Sequence, residues 1–187
     1  MKFVLASGSP RRKELLELAN IPFEVIPSNA EEILNPDFPP EQQVKTLALL
    51  KATDISQQYP DRYIIGADTI VVFNQQILGK PVDKEDAVNT LKRLRGQQHQ
   101  VMTAVAIVCT AENIAEVFIN ITAVTFYDLS DQWIADYVAS GAPMDKAGSY
   151  GIQDAGFELV EQIHGDYYAV MGLPIAQLKR KIAELNL

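Results

Sequence analysis

The chain has 187 residues, 48% of them apolar and 21% charged, with 16 basic side chains against 24 acidic ones, two His and one Cys. That length and apolar fraction are ample for a core and argue against disorder; they suit one globular domain of α/β size, or one with two lobes. The formal net charge of −8 argues against a protein that coats a nucleic-acid backbone or an anionic membrane with Lys and Arg, so cations that meet an anionic ligand must be gathered locally.

In chain order, Lys2–Ala6 is a short apolar strand. After Ser7-Gly8-Ser9-Pro10, residues Leu15, Leu18 and Ala19 recur at helical spacing until Asn20-Ile21-Pro22 stops the helix. Phe23–Pro27 reads as a second strand, and the three prolines of Asn35–Pro40 make a loop into a helix over Glu41–Gln58. Tyr63–Ala67 passes through Asp68-Thr69 into Ile70–Phe73, which predicts a strand pair with a polar interruption; Asn74-Gln75-Gln76 then turns the chain into Ile77-Leu78. Asp83 caps a helix carrying Ala87, Val88, Leu91 and Leu94 that stops at Gly96. Gln100–Cys109 and Glu116–Phe126, rich in Val, Ile and Thr, read as two long antiparallel strands. Ser130 caps a helix ending at Gly141, Phe157–Ile163 and Tyr167–Met171 flank a tight hairpin at His164-Gly165-Asp166, and a last helix carries Ile175, Leu178, Ile182 and Leu185 on one face. The mixture predicts a compact α/β fold with a mixed sheet.

Cys109 lies in the apolar run Val105–Val108 and cannot form an internal disulfide, which fits a buried core residue in a reducing compartment. Met1–Ala6 is too short for a signal-peptide apolar region and no stretch is long enough to span a bilayer, so a cytoplasmic protein is expected.

Three segments stand out chemically. At the first helix, Ser9 and Pro10 form the start and Arg11-Arg12 follow in the first turn. Partial positive charge from unpaired N–H groups collects there, so two cations cost about 0.3–1 kcal/mol each unless an anion answers them. A polyphosphate would satisfy the N–H groups, the serine hydroxyls and both guanidiniums; the plain alternative is two exposed arginines on a solvated helix. The segment is neither a Walker loop nor a G-x-G-x-x-G turn.

Asp68 stands among apolar residues of the sheet and needs a partner, with Glu31-Glu32, Lys51 and Lys80 as candidates to surround it. A carboxylate group beside a phosphate cradle is what a bridging divalent ion requires, and a strand-end cap is the plainer reading. Met144–Gln153 combines an Asp-Lys pair, two Gly and an amide: either a binding loop, with Gln153 able to read the edge of a base, or an ordinary turn with a surface ion pair. His99 and His164 are the only histidines, which speaks against a His-based metal cluster or a Ser-His-Asp triad and points to water as the nucleophile.

Taken together in order, Ser7-Gly8-Ser9-Pro10-Arg11-Arg12, Glu31-Glu32, Gly66-Ala67-Asp68-Thr69, Gly79-Lys80-Pro81, Pro143–Gln153 and Gly165-Asp166-Tyr167-Tyr168 closely resemble the Maf family over almost the whole chain. The resemblance implies one domain over residues 1–187, a mixed, twisted sheet flanked by helices, with the inosine triphosphatase-like fold of two lobes around a cleft. It implies a house-cleaning nucleoside triphosphate pyrophosphatase that cuts between the α and β phosphates with a divalent cation, Mg²⁺ or Mn²⁺. Carried over, Asp68 resembles the proton acceptor and, with Glu32, would place the metal and the attacking water; Lys80 joins them in the catalytic set. Ser7, Ser9, Arg11, Arg12, Lys51, Lys80 and Lys146 would hold phosphates, and Asp145 would take part in substrate binding. Arg11, Thr69 and Gln153 resemble the specificity positions of the branch acting on dTTP and UTP, with modified pyrimidine nucleotides as further candidates, and differ from the 7-methyl-GTP branch. The family's association with inhibition of septum formation leaves a nucleotide-binding regulator with incidental hydrolysis as the alternative. A homodimer is expected, with the exposed side of the Gln100–Phe126 strand pair as a possible interface, and no nucleic-acid or membrane partner.

Overall fold

The computed structural model describes residues 3–33, 35–153 and 156–187; Lys2, at the start of the first predicted strand, lies outside them. Among the described residues the strands are β1 (Phe3–Leu5), β2 (Phe23–Val25), β3 (Tyr63–Phe73), β4 (Gln76–Leu78), β5 (Gln98–Cys109), β6 (Ile114–Phe126) and β7 (Val160–His164). They run in the order β2-β1-β3-β5-β6-β7, with β4 paired to β3. β1 lies parallel to β2 and β3, while β3–β4 and β6–β7 are antiparallel, which makes the sheet mixed and the fold α/β. The helices are α1 (Pro10–Leu18), α2 (Pro40–Gln58), α3 (Lys84–Leu94), α4 (Asp131–Ala139), α5 (Gly156–Leu159), α6 (Tyr167–Met171) and α7 (Ile175–Glu184).

The chain divides into two compact units. The first comprises residues 1–68, 103–120 and 172–187, and the second residues 69–102 and 121–171. In the first, Val4, Leu5, Ile64 and Ile65 of the strands and Leu15, Leu16 and Ile55 of the helices are fully buried or nearly so. Leu18 departs from the predicted stripe: it is 57% exposed and Leu16 takes the inward position. In the second unit, Ala87, Leu91 and Leu94 of α3 and Ile134, Tyr137 and Val138 of α4 pack in one core with Val71, Val124 and Phe126. Both helices begin as the sequence predicts, the Asp86 amide donating to Asp83 Oδ1 at 2.8 Å and the Trp133 amide to Ser130 Oγ at 3.1 Å.

Two expectations are corrected. Tyr63–Phe73 is one uninterrupted strand that carries Asp68 and Thr69 in its middle: β1 pairs with its start at Tyr63–Ile65, β4 with its end at Val71–Phe73, β5 lies on its other side, and Asp68 finds a side-chain partner. His164-Gly165-Asp166 is not a hairpin. Residues 156–159 are helical, β7 follows, and Asp166 starts α6 by accepting the Tyr168 amide at 2.8 Å and the Ala169 amide at 3.3 Å on Oδ1. An Asp that could form a turn forms a helix cap instead. Cys109 is buried, as expected. From Val101 to Cys109 β5 is buried on both faces, so the exposed apolar side chains of that strand pair lie on β6, at Ala115 and Ile121, with Ile114, Val117 and Ile119 half-buried.

Candidate active site

The first unit gathers the residues singled out at the chain's start. Leu5 of β1 is in register with Ile65 of β3, and the Ala6 amide donates to the Ile65 carbonyl at 2.9 Å. Ser7 therefore leaves the carboxyl end of β1 beside the stretch of β3 that runs on to Asp68, the end of parallel strands where open α/β sheets bind their ligands. The Ser7 hydroxyl oxygen accepts the Ser9 amide and Arg12 Nη1, both at 3.2 Å, and Ser9 Oγ accepts the Arg12 amide at 3.5 Å as the cap of α1.

Arg12 does not wave into solvent. Its Nε donates to the Gly172 carbonyl at 2.9 Å, which with the Ser7 contact fixes the guanidinium plane. Burial lowers its pKa from the ordinary value; the carboxylate of Asp68 and then that of Glu32 act in the opposite sense, while Arg11 adds to the lowering. The group stays a cation, within the field of both acids.

Asp68 is buried, its side chain 11% exposed, and its Oδ1 accepts Lys51 Nζ at 2.7 Å. The same ammonium, 13% exposed, also binds Glu32 Oε1 at 2.9 Å. Of the candidates to surround Asp68, Lys51 and Glu32 are thus met. Their meeting depends on an unusually close approach of α2 to β3. A Cβ on Gly66 would strike the Ala48 carbonyl oxygen, the Ala52 amide nitrogen at 2.7 Å and the Ala52 methyl at 2.9 Å. Gly66 and Asp68, two apart, share one face of the strand. Ala48, Lys51, Ala52 and Ile55 share one face of the helix. The small residues bring backbones together and the lysine between them reaches the acid. The loop bearing Glu32 is tied to the same helix, since Ser28 Oγ donates to Asp54 Oδ2 at 2.6 Å and the Asn29 amide at 3.2 Å.

The second unit carries the other expected site residues. Gly79, beside the exposed Lys80, accepts the Gly148 amide at 3.0 Å, which stitches the Lys80 turn to the 3₁₀ turn Ala147–Ser149 that follows Lys146. Gly148 adopts φ +68°, and an added Cβ would lie 2.9 Å from both methyls of Val71. Lys146 Nζ donates to the Ala142 carbonyl at 2.6 Å and to Asp145 Oδ1 at 2.8 Å, so the Asp-Lys pair is an ion pair anchored to the turn. Thr69 is half-buried in β3 and Gln153 is exposed.

Residues 2–185 match the family model described as Maf-like protein. The chain belongs to the Maf-like protein family. It is 48% identical over 186 residues to a dTTP/UTP pyrophosphatase of Bacillus anthracis, spanning 100% of this chain and 96% of the relative. A relative of the same name from Bacillus cereus (strain B4264) is 47% identical over the same shares. Among solved structures, the Staphylococcus aureus Ham1 protein aligns at TM-score 0.48 and 15% identity, over 68% of this chain and 73% of that one.

In this Maf family member the donor chemistry of Glu32 and Asp68 fits a hard divalent cation such as Mg²⁺, which takes one or two carboxylates and completes its shell with phosphate oxygens and water. Among the described residues no group of three or more His, Cys, Asp or Glu is placed to hold an ion. Gly172, Asp54 and Ser28 were not singled out from the sequence. Asp54, one turn beyond Lys51 on α2, was the readable signal; a carbonyl acceptor 160 residues from Arg12 leaves none.

Proposed function

We propose that the protein hydrolyses dTTP and UTP to the monophosphate and pyrophosphate, with a divalent cation as cofactor. The observation that carries the reading is 48% identity along the whole chain to a relative named for that activity. The gathering of Arg12, Lys51, Glu32 and Asp68 in one unit supports the chemistry.

In this reading Ser7, Ser9, Arg11 and Arg12 bind the phosphate chain at the start of α1, where amide dipoles, hydroxyls and guanidiniums converge. Asp68 accepts the proton of the attacking water, and Glu32 and Asp68 hold the cation. When bound, the cation lowers the pKa of water and offsets phosphate charge. Lys80 and Lys146 contribute positive charge toward the phosphates, Asp145 takes part in substrate binding, and Arg11, Thr69 and Gln153 are the positions that select the base. Concentrated positive charge is what lets a chain of net charge −8 bind a polyanion.

A side-by-side assay of dTTP, UTP, CTP and 7-methyl-GTP, with pyrophosphate and monophosphate both quantified, tests this. Pyrophosphate from dTTP and UTP, abolished by a chelator and restored by Mg²⁺ or Mn²⁺, is expected. Stoichiometric binding of dTTP without product would instead favour a regulator.

A further inference from the structure

The ammonium of Lys51 occupies the position that a cation shared by Glu32 and Asp68 would take. It lies 2.7 Å from Asp68 Oδ1 and 2.9 Å from Glu32 Oε1. A Mg²⁺-type ion sits about 2.1 Å from a carboxylate oxygen, so an ion on either of these atoms stands less than about 5 Å from Nζ, close enough for strong repulsion in a half-dry site. The two carboxylates are also already answered by Lys51 and Arg12, with Arg11 adding positive charge beside Arg12, so a bare dication gains little there. A nucleotide carrying the dication brings net negative charge and suits the cations that the dication displaces.

The surroundings allow such an exchange. Glu32 is 51% exposed, so its pair with Lys51 is screened and easily broken. The lysine stem is flexible. One turn further along α2, Asp54 holds Ser28 and Asn29 of the same loop, so Glu32 keeps a tether when Lys51 lets go.

Resting on the reading of Glu32 and Asp68 as cation ligands, we propose that Lys51 is an exchangeable counter-cation: it holds the two carboxylates together until a nucleotide-borne divalent cation takes them, and then turns to the phosphates, while Asp54 acts as a positioning residue that keeps the Glu32 loop on α2. The protein therefore binds the free ion poorly and the ion–nucleotide complex well.

Mn²⁺ binding, read from the electron-spin-resonance signal of the free ion in the absence of nucleotide, tests the exchange. Lys51→Met is expected to bind Mn²⁺ at least about tenfold more tightly than wild type, because the competing charge is gone. Lys51→Arg, which keeps the charge, is expected to bind it no more tightly. Lys51→Gln carries the same expectation as Lys51→Met should the latter not fold. Adding Asp54→Ala to the tighter variant is expected to weaken its Mn²⁺ binding, and unchanged binding there removes Asp54 from the proposal. Mn²⁺ affinity unchanged or lowered on loss of the Lys51 charge overturns the exchange. Pyrophosphate release by wild type is read separately: activity with unchanged Mn²⁺ affinity defeats this inference alone, whereas absence of release defeats the function it rests on.

Discussion

Single side chains in this protein show how burial selects a charge partner. Asp68 was legible as a problem, because a carboxylate in an apolar strand must be answered. Its answer, Lys51, was one of several candidates in the sequence and could be chosen only in three dimensions, since helix–strand contacts are nonlocal. His99 is the opposite case, a titratable group held neutral. It is buried, its Nε2 lies 2.8 Å from the Tyr150 hydroxyl, and the rings of Phe126 and Tyr150 meet it edge-on. Burial lowers its pKa from 6.5 to about 4. Between those values the unfolded chain takes up a proton that the folded one refuses, so the contribution is complete above pH 6.5 and is lost as pH falls toward 4, by about 3 kcal/mol in all. Urea unfolding followed from pH 7 to pH 4 is expected to show that decline, and His99→Gln, which keeps a polar partner for Tyr150, is expected to flatten it. An equal slope in both proteins would remove His99 as its source.

Elements were more legible than their junctions. The capped helices α3 and α4 follow from Asp83 and Ser130, and the long strands from runs of Val, Ile and Thr. The two departures from the sequence pattern share one cause: local polarity predicts a broken strand at Asp68 and a hairpin turn at Asp166, and in both places a nonlocal or helix-capping partner answers the carboxylate instead. At Asp68 the strand continues because a lysine from α2 meets the acid, and at Asp166 the carboxylate serves an adjacent helix. Gly66 controls the first of these contacts. Gly66→Ala would drive a methyl into the α2 backbone, and overpacking of this kind costs about 1–3 kcal/mol or more. The expected result is a lower melting temperature and a loss of turnover beyond that of Gly148→Ala, whose added methyl comes nearest the Val71 side chain rather than backbone and whose φ is unfavourable for Ala. Turnover retained by folded Gly66→Ala would show that the close approach of α2 to β3 does not set the distance from Lys51 to Asp68.

At the scale of the molecule, composition excluded whole classes of function while motif order pointed to a family, and the architecture explains why both were needed. Ser7, Arg12, Glu32, Lys51 and Asp68 are dispersed over the first 68 residues, each in a short piece that is weak evidence alone, and the first unit collects them. Lys80, Asp145, Lys146 and Gln153 belong to the second unit, where hydrogen bonds join the Lys80 and Lys146 turns. The sheet order could not be read from the chain, because β1 pairs with β3 across a helix, a strand and a second helix. The most direct measurement is pyrophosphate release from dTTP by wild type and by Asp68→Asn, whose amide oxygen can still accept the Lys51 ammonium and preserve the fold. With equal melting temperatures, the account predicts a fall in kcat of about 100-fold or more, as expected for loss of a proton acceptor; wild-type turnover in folded Asp68→Asn would contradict it.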